Sequence, residues 1–595
     1  VKPDRIHTRI PDMNRISAIK SKSMSARRFF STSKWDHDVL ICGGGVVGAA
    51  LAAELLMRSK GTCNVGLIEL FPPKPTIRAK SDSPDVRVYA LSPNSIQVLQ
   101  HIGAWKHIEE RSHPYANMQV WEQSGPGVLK FSAAEMQASE LGRICEDQTI
   151  QSAIYKSIQD QGHALTTYYG YSIDDLKLPS NAKNPTGAAI VNIKPKDNTL
   201  ESKQLSARLV VGADGGNSSV RKFSGISTWG WGYGQEAVVA TIRIGNEPEN
   251  LEGTIDENHD KERIEAAAKA AGRAFINNTA WQKYLHTGPL AVLPLWDNYA
   301  SIVWSTSVAD AKRLKSLSPE QFLVELNAAL QTPPETDKWS VHNATDAANF
   351  PPFLNGILGA KPFGPVSNLF GKSPLDILKK VKQEVGAVAD TLMSAAQMGD
   401  PMTYPPVVGQ VCGPRVSFPL SFSQASQYTA PRCALIGDAA HSIHPQAGQG
   451  LNLGILDAVT LANCIVRTLQ VGGDIGNSAS LSEYERERYV KNLGMMALVD
   501  GINSVFKDAP RAYPYPSSSE SPPNQTENTW EVGEDGGVDA KKDRFGTQMK
   551  PESLDLGPKV KQFLRSAGML GIHQLGPVKN RIAKFAMGVD SSSGK

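Results

Sequence analysis

Gly43, Gly45 and Gly48 stand in the run Gly43-Gly44-Gly45-Val46-Val47-Gly48, and Glu69 follows 21 residues after the last of them. Glycines at these three positions suit a tight turn, a close approach of backbone to a pyrophosphate, and a helix packed hard on a strand. The helix start beyond them presents free N–H groups and a partial positive charge, which is chemistry for binding phosphate. A carboxylate at Glu69 stands where it can accept hydrogen bonds from a ribose diol. Alone, G-x-G-x-x-G is a common glycine-rich turn, so the elements that position it decide its meaning. Residues 37–42 (His-Asp-Val-Leu-Ile-Cys) read as a short buried strand, 49–58 as a helix with small and apolar spacing, and 64–70 as a second strand carrying Glu69. That β-α-β unit makes a dinucleotide site, specific at this point for neither flavin nor nicotinamide.

Two further clusters bear on that choice. Gly212-Ala213-Asp214-Gly215-Gly216-Asn217-Ser218-Ser219-Val220-Arg221 resembles the D-G motif of the flavoprotein aromatic hydroxylases. The run from Gly437-Asp438-Ala439-Ala440-His441 through Pro445 to Gly448-Gln449-Gly450-Leu451-Asn452 resembles their G-D motif. Each motif alone is a strand-to-helix turn; all three in this order form a specific signal, and no second G-x-G-x-x-G domain accompanies them. The segments Arg87-Val88-Tyr89-Ala90-Leu91-Ser92, 288–295 with 301–305, 415–420 and 577–588 narrow the resemblance to the branch that hydroxylates ubiquinone precursors in mitochondria. The similarity spans about 36–345, 407–506 and 560–588 of the chain.

What the resemblance implies is a mixed α/β fold with an antiparallel sheet. A discontinuous Rossmann-like FAD domain of the aromatic hydroxylase and glutathione-reductase-like type (36–112, 141–228, 411–506) would enclose a β-sheet substrate domain (113–140, 229–410), with a C-terminal helical segment (559–595). Asp214, Asp438, Pro445, Gly448, Gly450, Leu451 and Asn452 would join the glycines and Glu69 in binding FAD, with Arg87 near the flavin or its pyrophosphate. In the family, Asp438 would hydrogen-bond the ribityl chain, and the turn at 448–452 would offer N–H groups to the flavin ring carbonyls. The implied reaction is hydroxylation of the ring of a polyprenylated phenol or benzoate by dioxygen through a flavin C4a-hydroperoxide. Electrons would come from NAD(P)H directly or through ferredoxin and its reductase. The flavin carries the chemistry, so no protein base and no metal site are expected. His441 and His444 lie near the flavin by motif position, with structural roles expected. Family members are expected at the matrix face of the inner membrane, peripherally bound, in a complex with other ubiquinone-biosynthesis enzymes.

The rest of the chain is consistent with a globular protein. It has 595 residues, 41% hydrophobic and 20% charged, and a formal charge of +3 that gives no reason to expect a nucleic-acid partner. Residues 1–34 carry a net +7 against −4 for the remainder, and are rich in Arg and Ser, the composition of a mitochondrial transit peptide. Arg28-Phe29-Phe30-Ser31 resembles a processing site. The six cysteines lack C-x-x-C spacing and read as buried thiols. No uncharged apolar stretch reaches membrane-spanning length. The most apolar candidate, 453–471, contains Asp457 and Arg467. Residues 349–400 read as an insertion, irregular to 371 and then helical with Ile377, Val381, Val385, Val388 and Leu392 on one stripe; it could shape a substrate entrance or touch a bilayer. Residues 508–558 read as a disordered insertion rich in Ser, Pro, Gly and Asp.

Two other classes remain open to the sequence. One is a different flavoenzyme of the same fold, an epoxidase, halogenase or polyprenyl reductase; Trp229-Gly230-Trp231-Gly232 does not match the halogenase W-x-W-x-I-P pattern. The other is a non-catalytic prenyl-binding protein, which has no need of the intact flavin motifs.

Overall fold

A computed structural model of the chain describes residues 35–73, 79, 82–125, 127–179, 187–196, 200–245, 278–334, 403–506, 569, 579–580 and 583–584. The transit-like segment 1–34, the insertions 349–400 and 508–558, and all but five residues of 559–595 lie outside the described residues.

The run Val39, Leu40, Ile41 is fully buried on both faces, as a central parallel strand requires. This strand, His37–Cys42, pairs in parallel with Val65–Glu69 on one side and Lys203–Gly212 on the other. The eight-stranded sheet continues outward to Cys433–Leu435 and Thr429–Ala430 at one edge and Thr166–Tyr169 at the other; Tyr171–Lys177 and Ala189–Pro195 extend it antiparallel. Helices Val46–Arg58, Asp147–Asp160 and Gly450–Gln470 contribute Ala49, Leu51, Ile154, Ile455 and Leu461 to the same core. Gly450–Gln470 is long and apolar enough to cross a membrane, but two thirds of it is buried inside this core.

The second eight-stranded sheet runs in the order His441–Ser442, Val408–Ala425, Thr228–Ile244, Tyr299–Ser307, Gly288–Pro294, Thr279–Leu285, Asn117–Glu122, Val128–Ser132. Helices Val308–Ser316 and Pro319–Gln331 cover one face, where Val238, Ala240, Ile242, Trp304, Phe322 and Leu326 form a core. Pro319–Gln331 starts where its sequence says it should: Ser318 and Gln321 form a reciprocal capping box with Pro at the first position. The side chain of Lys283 is buried in this layer, and its Nζ donates to the carbonyls of Ala329 (2.6 Å) and Thr332 (2.8 Å) at that helix's end. On the other face Ala237, Leu420 and Phe422 pack with Ile443 and with Met496. A three-stranded sheet, Val88–Leu91, Gly142–Glu146 and His113–Tyr115, forms a ladder of its own and packs through Val88, Ile144 and Tyr115 on Leu293, Leu295 and Trp296. Helix Ser478–Phe506 bridges the two large sheets: Tyr484 donates to the carbonyl of Leu435 (2.5 Å) in the first, and Phe506 stacks on Tyr284 (3.9 Å) in the second.

Three elements differ from the sequence reading. The helix after the glycine run begins at Val46, so Gly48 lies inside it. The strand expected at 237–244 is seventeen residues long, Thr228–Ile244, because Gly230 accommodates close pairing with the backbone of Phe422 and Ser423 instead of ending the strand. Residues 411–425, expected in the nucleotide unit, form most of Val408–Ala425 and pair along that long strand in the second sheet.

Candidate cofactor site

The cleft is built at the carboxyl ends of three neighbouring parallel strands. Cys42 stands beside Ile68 and Gly212 in register, so the chain leaves the sheet at Gly43 and Ala213 side by side. Ala213 N–H donates to the Cys42 carbonyl (2.8 Å), and Gly43 N–H to that of Ile68 (2.9 Å). Gly43 has φ +106°, a backbone conformation that disfavours any side chain, and a Cβ there would collide with the Ala213 carbonyl. A Cβ on Gly48 would strike the carbonyl of Gly43, so the helix sits on the turn with no room to spare. Gly45 is the opposite case: nothing lies within 4 Å of where its Cβ would be. The turn is tight against protein at two glycines and open at the third, the arrangement a pyrophosphate needs.

Glu69 closes the turn from the next strand, its carboxylate accepting from Gly44 N–H (2.5 Å) and Phe71 N–H (3.1 Å). Gln151 and Tyr155, from Asp147–Asp160, donate to the Gly44 carbonyl at 2.9 and 3.0 Å. Neither residue was legible as part of the site, since nothing local in sequence ties them to the glycine run.

Asp214 is occupied with its own turn. It accepts from Ser218 Oγ (2.5 Å), Ser219 N–H (2.6 Å) and Val220 N–H (3.2 Å), fixing the start of helix Ser219–Phe223. Arg221 on that helix donates to the carbonyls of Ala439 (2.8 Å) and Gly216 (2.8 Å), joining the second glycine cluster to the third.

Asp438 behaves differently. No hydrogen bond or ion pair to its carboxylate occurs among the described residues. Solvent reaches it, yet the protein surrounds it closely enough that burial pushes its carboxyl up, while His441 and Arg87 pull it down. That leaves the Asp438 carboxylate open to accept hydrogen bonds from a ligand beside the two helix starts. Arg87 rises beside it from the segment before Val88–Leu91, donating to Tyr89 Oη (2.6 Å) and lying 3.8 Å from Asp147. Burial pushes the Tyr89 phenol up to about 12 and raises the Asp147 carboxyl.

The G-D segment ends in a 3-10 turn, Pro445–Ala447, closed by Gly448 at φ +59°. Helix Gly450–Gln470 starts next with no side-chain cap, as does Val46–Arg58, so both offer free backbone N–H groups at their first turns. The two helices pack against each other through Val47 and Gly454, with Gly437 between them. Leu451 is buried. The Asn452 side chain is committed internally: its oxygen accepts from Ser92 N–H (2.9 Å) and Ser95 Oγ (2.7 Å), and its nitrogen donates to the carbonyls of Ala90 (2.9 Å) and Gly448 (3.0 Å). It is a strut between the segment bearing Arg87 and the G-D helix, leaving only its backbone N–H for a ligand.

Facing these loops is the uncovered side of the second sheet. Ala237, Leu420, Phe422 and Tyr233 cluster there with Ile443 of the G-D segment and Met496 of the long helix. On the same strand face as Leu420 and Phe422, Val416 and Phe418 remain 40% and 43% exposed, large apolar groups left open. Tyr233 donates to Asp500 (2.8 Å) and meets the His444 ring edge-on.

Known proteins resemble this chain in the same regions. A family pattern described as an FAD binding domain matches residues 36–348 and 413–495. "Ubiquinone biosynthesis monooxygenase COQ6, mitochondrial" of Homo sapiens is 31% identical over 472 residues, covering 79% of this chain and 85% of that protein. The protein of the same name from Xenopus tropicalis is 31% identical over 503 residues, covering 83% and 91%. Among solved structures, P. aeruginosa PqsL in complex with 2-aminobenzoylacetate is similar with a TM-score of 0.51 and 17% identity, over 79% of this chain and 97% of that one. At that identity the likeness speaks to the fold.

Proposed function

Because the chain belongs to the ubiquinone biosynthesis monooxygenase family and carries its FAD-binding domain, we propose that it hydroxylates the aromatic ring of a polyprenylated phenol or benzoate on the path to ubiquinone. It is an FAD-dependent aromatic monooxygenase. The observation that carries the site assignment is Asp438, an unpartnered carboxylate between two uncapped helix starts. The open flank of Gly45, the fixed turn of Gly43 and the helix start at Val46 hold the pyrophosphate; Glu69 orients the ribose; Asp438 holds the hydroxylated chain that joins phosphate to flavin. The N–H groups of Gly450, Leu451 and Asn452 stabilise negative charge on the ring system, and Pro445 and Gly448 shape the backbone that presents them. Asp214 acts by fixing the second turn, and Arg87 supplies the neighbouring positive charge. When bound, FAD supplies the activation of dioxygen and the oxygen atom transferred to the ring.

The apolar wall of Ala237, Val239, Val303, Val416 and Phe418 holds an isoprenoid-bearing ring and excludes water from it. The protein works in mitochondria, peripherally at the matrix face of the inner membrane beside other enzymes of the same path. The electrons come from NAD(P)H, either directly or through ferredoxin and its reductase. A visible absorption spectrum tests the reading. Purified protein shows an oxidised flavin band, and that band bleaches anaerobically either with NADPH alone or only when ferredoxin and its reductase are added. Folded protein that never acquires a flavin band on incubation with FAD would overturn the assignment in favour of a prenyl-binding protein. Product analysis showing reduction or epoxidation of the tail, with the ring untouched, would overturn the choice of reaction.

A further inference from the structure

The turn that carries Asp438 runs from Gly437 to His441, and a single buried carboxylate grips both its ends. Asp457, fully buried on helix Gly450–Gln470, accepts from Gly437 N–H (3.1 Å) and from His441 Nε2 (2.7 Å) through one oxygen. Its other oxygen accepts from Arg488 Nε (2.7 Å) and Asn492 Nδ2 (3.0 Å), both on helix Ser478–Phe506. Arg488 donates in turn to Asn492 Oδ1 (2.7 Å) and the Leu453 carbonyl (3.3 Å). Burial alone would raise the Asp457 carboxyl, but His441 and Arg488 outweigh it and hold the group below the ordinary carboxylate range. Apolar residues of similar volume often fill such a place at no loss of stability, so a buried ionic cluster built around Asp457 calls for another reason. The reason on view is geometric: the cluster's acceptor holds the Gly437 backbone N–H on one side of Asp438 and the His441 side chain on the other, while the Asp438 carboxylate itself has no hydrogen bond or ion pair among the described residues.

We infer that Asp457, held by Arg488 and Asn492, is a positioning residue that sets the place of Asp438 through Gly437 and His441, and thereby the retention of FAD. This rests on the flavin reading above. The test is a double-mutant cycle read as the FAD dissociation constant, by reconstituting the flavin-depleted full chain and following flavin fluorescence. Asp438→Asn and Asp457→Asn each weaken binding by about ten- to a hundredfold, the usual scale for a supporting group. In the Asp438→Asn background, Asp457→Asn adds less than about twofold, because the two act through one carboxylate. Effects that multiply in full would mean that Asp457 acts on the fold at large and would overturn the inference. If Asp457→Asn does not fold, the His441 pair carries the same test. His441→Gln, whose amide can still donate to Asp457, retains affinity within a few-fold, and His441→Ala loses about tenfold or more; equal losses from both would overturn the inference. Wild-type chain that binds no FAD would refute the flavin reading itself, a result distinct from either of these.

Discussion

The two glycine turns present the same device, a helix start with free N–H groups, and differ in what mainly holds it. At Gly43–Gly48 the tightest support is contact between backbones, with carbonyls standing where side chains would otherwise be, and Glu69, Gln151 and Tyr155 add hydrogen bonds to Gly44. At Gly437–Asn452 the support is polar and remote: Asp457, Arg488 and Asn492 on one side, Ser92 and Ser95 on the other. Close backbone packing needs only the absence of atoms, so it can be written into six consecutive residues. A buried polar scaffold needs every donor and acceptor satisfied, so its parts come from wherever the fold brings them.

That contrast can be broken at either end. Gly48→Ala places a methyl group on the Gly43 carbonyl, where only backbone can yield; it costs about 3 kcal/mol or more and leaves little folded, flavin-bearing protein. The check is soluble yield with the flavin-to-protein absorbance ratio. Asn452→Ala strands Ser92 N–H and the Ala90 carbonyl in the core; urea unfolding of the flavin-free chain shows a loss of about 2–4 kcal/mol. A loss seen only with FAD present would instead make that side chain a ligand contact. Gly45→Ala separates stability from binding. It meets open space, so unfolding shifts by no more than about 1 kcal/mol, while FAD affinity falls about ten- to two-hundredfold as the methyl intrudes on the bound group.

Lys283 extends the contrast to a buried charge with a sparser scaffold. Burial pushes its ammonium down to about 7, and its partners are two carbonyls where Asp457 has four donors. The unfolded chain holds this proton to about pH 10.4, so between about 7 and 10 the folded state binds fewer protons and stability rises with pH. Lys283→Met removes that slope in unfolding curves measured across the range.

How much of this was legible follows the same division. The strand at 37–42, the carboxylate at Glu69 and the three glycine clusters are local patterns, and each holds its position in the structure. Gln151, Tyr155, Asp457 and Arg488 support the site from sixteen to more than a hundred residues away, and no periodicity announces them. Asp457 even misleads, since within an apolar run it reads as a charge that rules out a membrane span and nothing more. The strand from Thr228 was shortened in reading because glycine normally interrupts strands; here it lets Trp231 stack on Phe422, with ring centroids 4.5 Å apart.

The interleaving of the two large sheets bears on how the chain comes to be folded. The first sheet takes strands from residues 37–69, 166–212 and 429–435, and Ser478–Phe506, about 43 Å long, is the last described helix to lock it to the second. Such contacts close loops of up to about 220 residues, which makes assembly slow and leaves strand edges unpaired meanwhile. During synthesis the glycine turn is made long before Cys433–Leu435 arrives to pair with Lys203–Gly212. The cofactor therefore has nothing complete to bind until nearly the whole chain is present, and capture of FAD marks the end of folding, a checkpoint between the nascent protein and the finished enzyme.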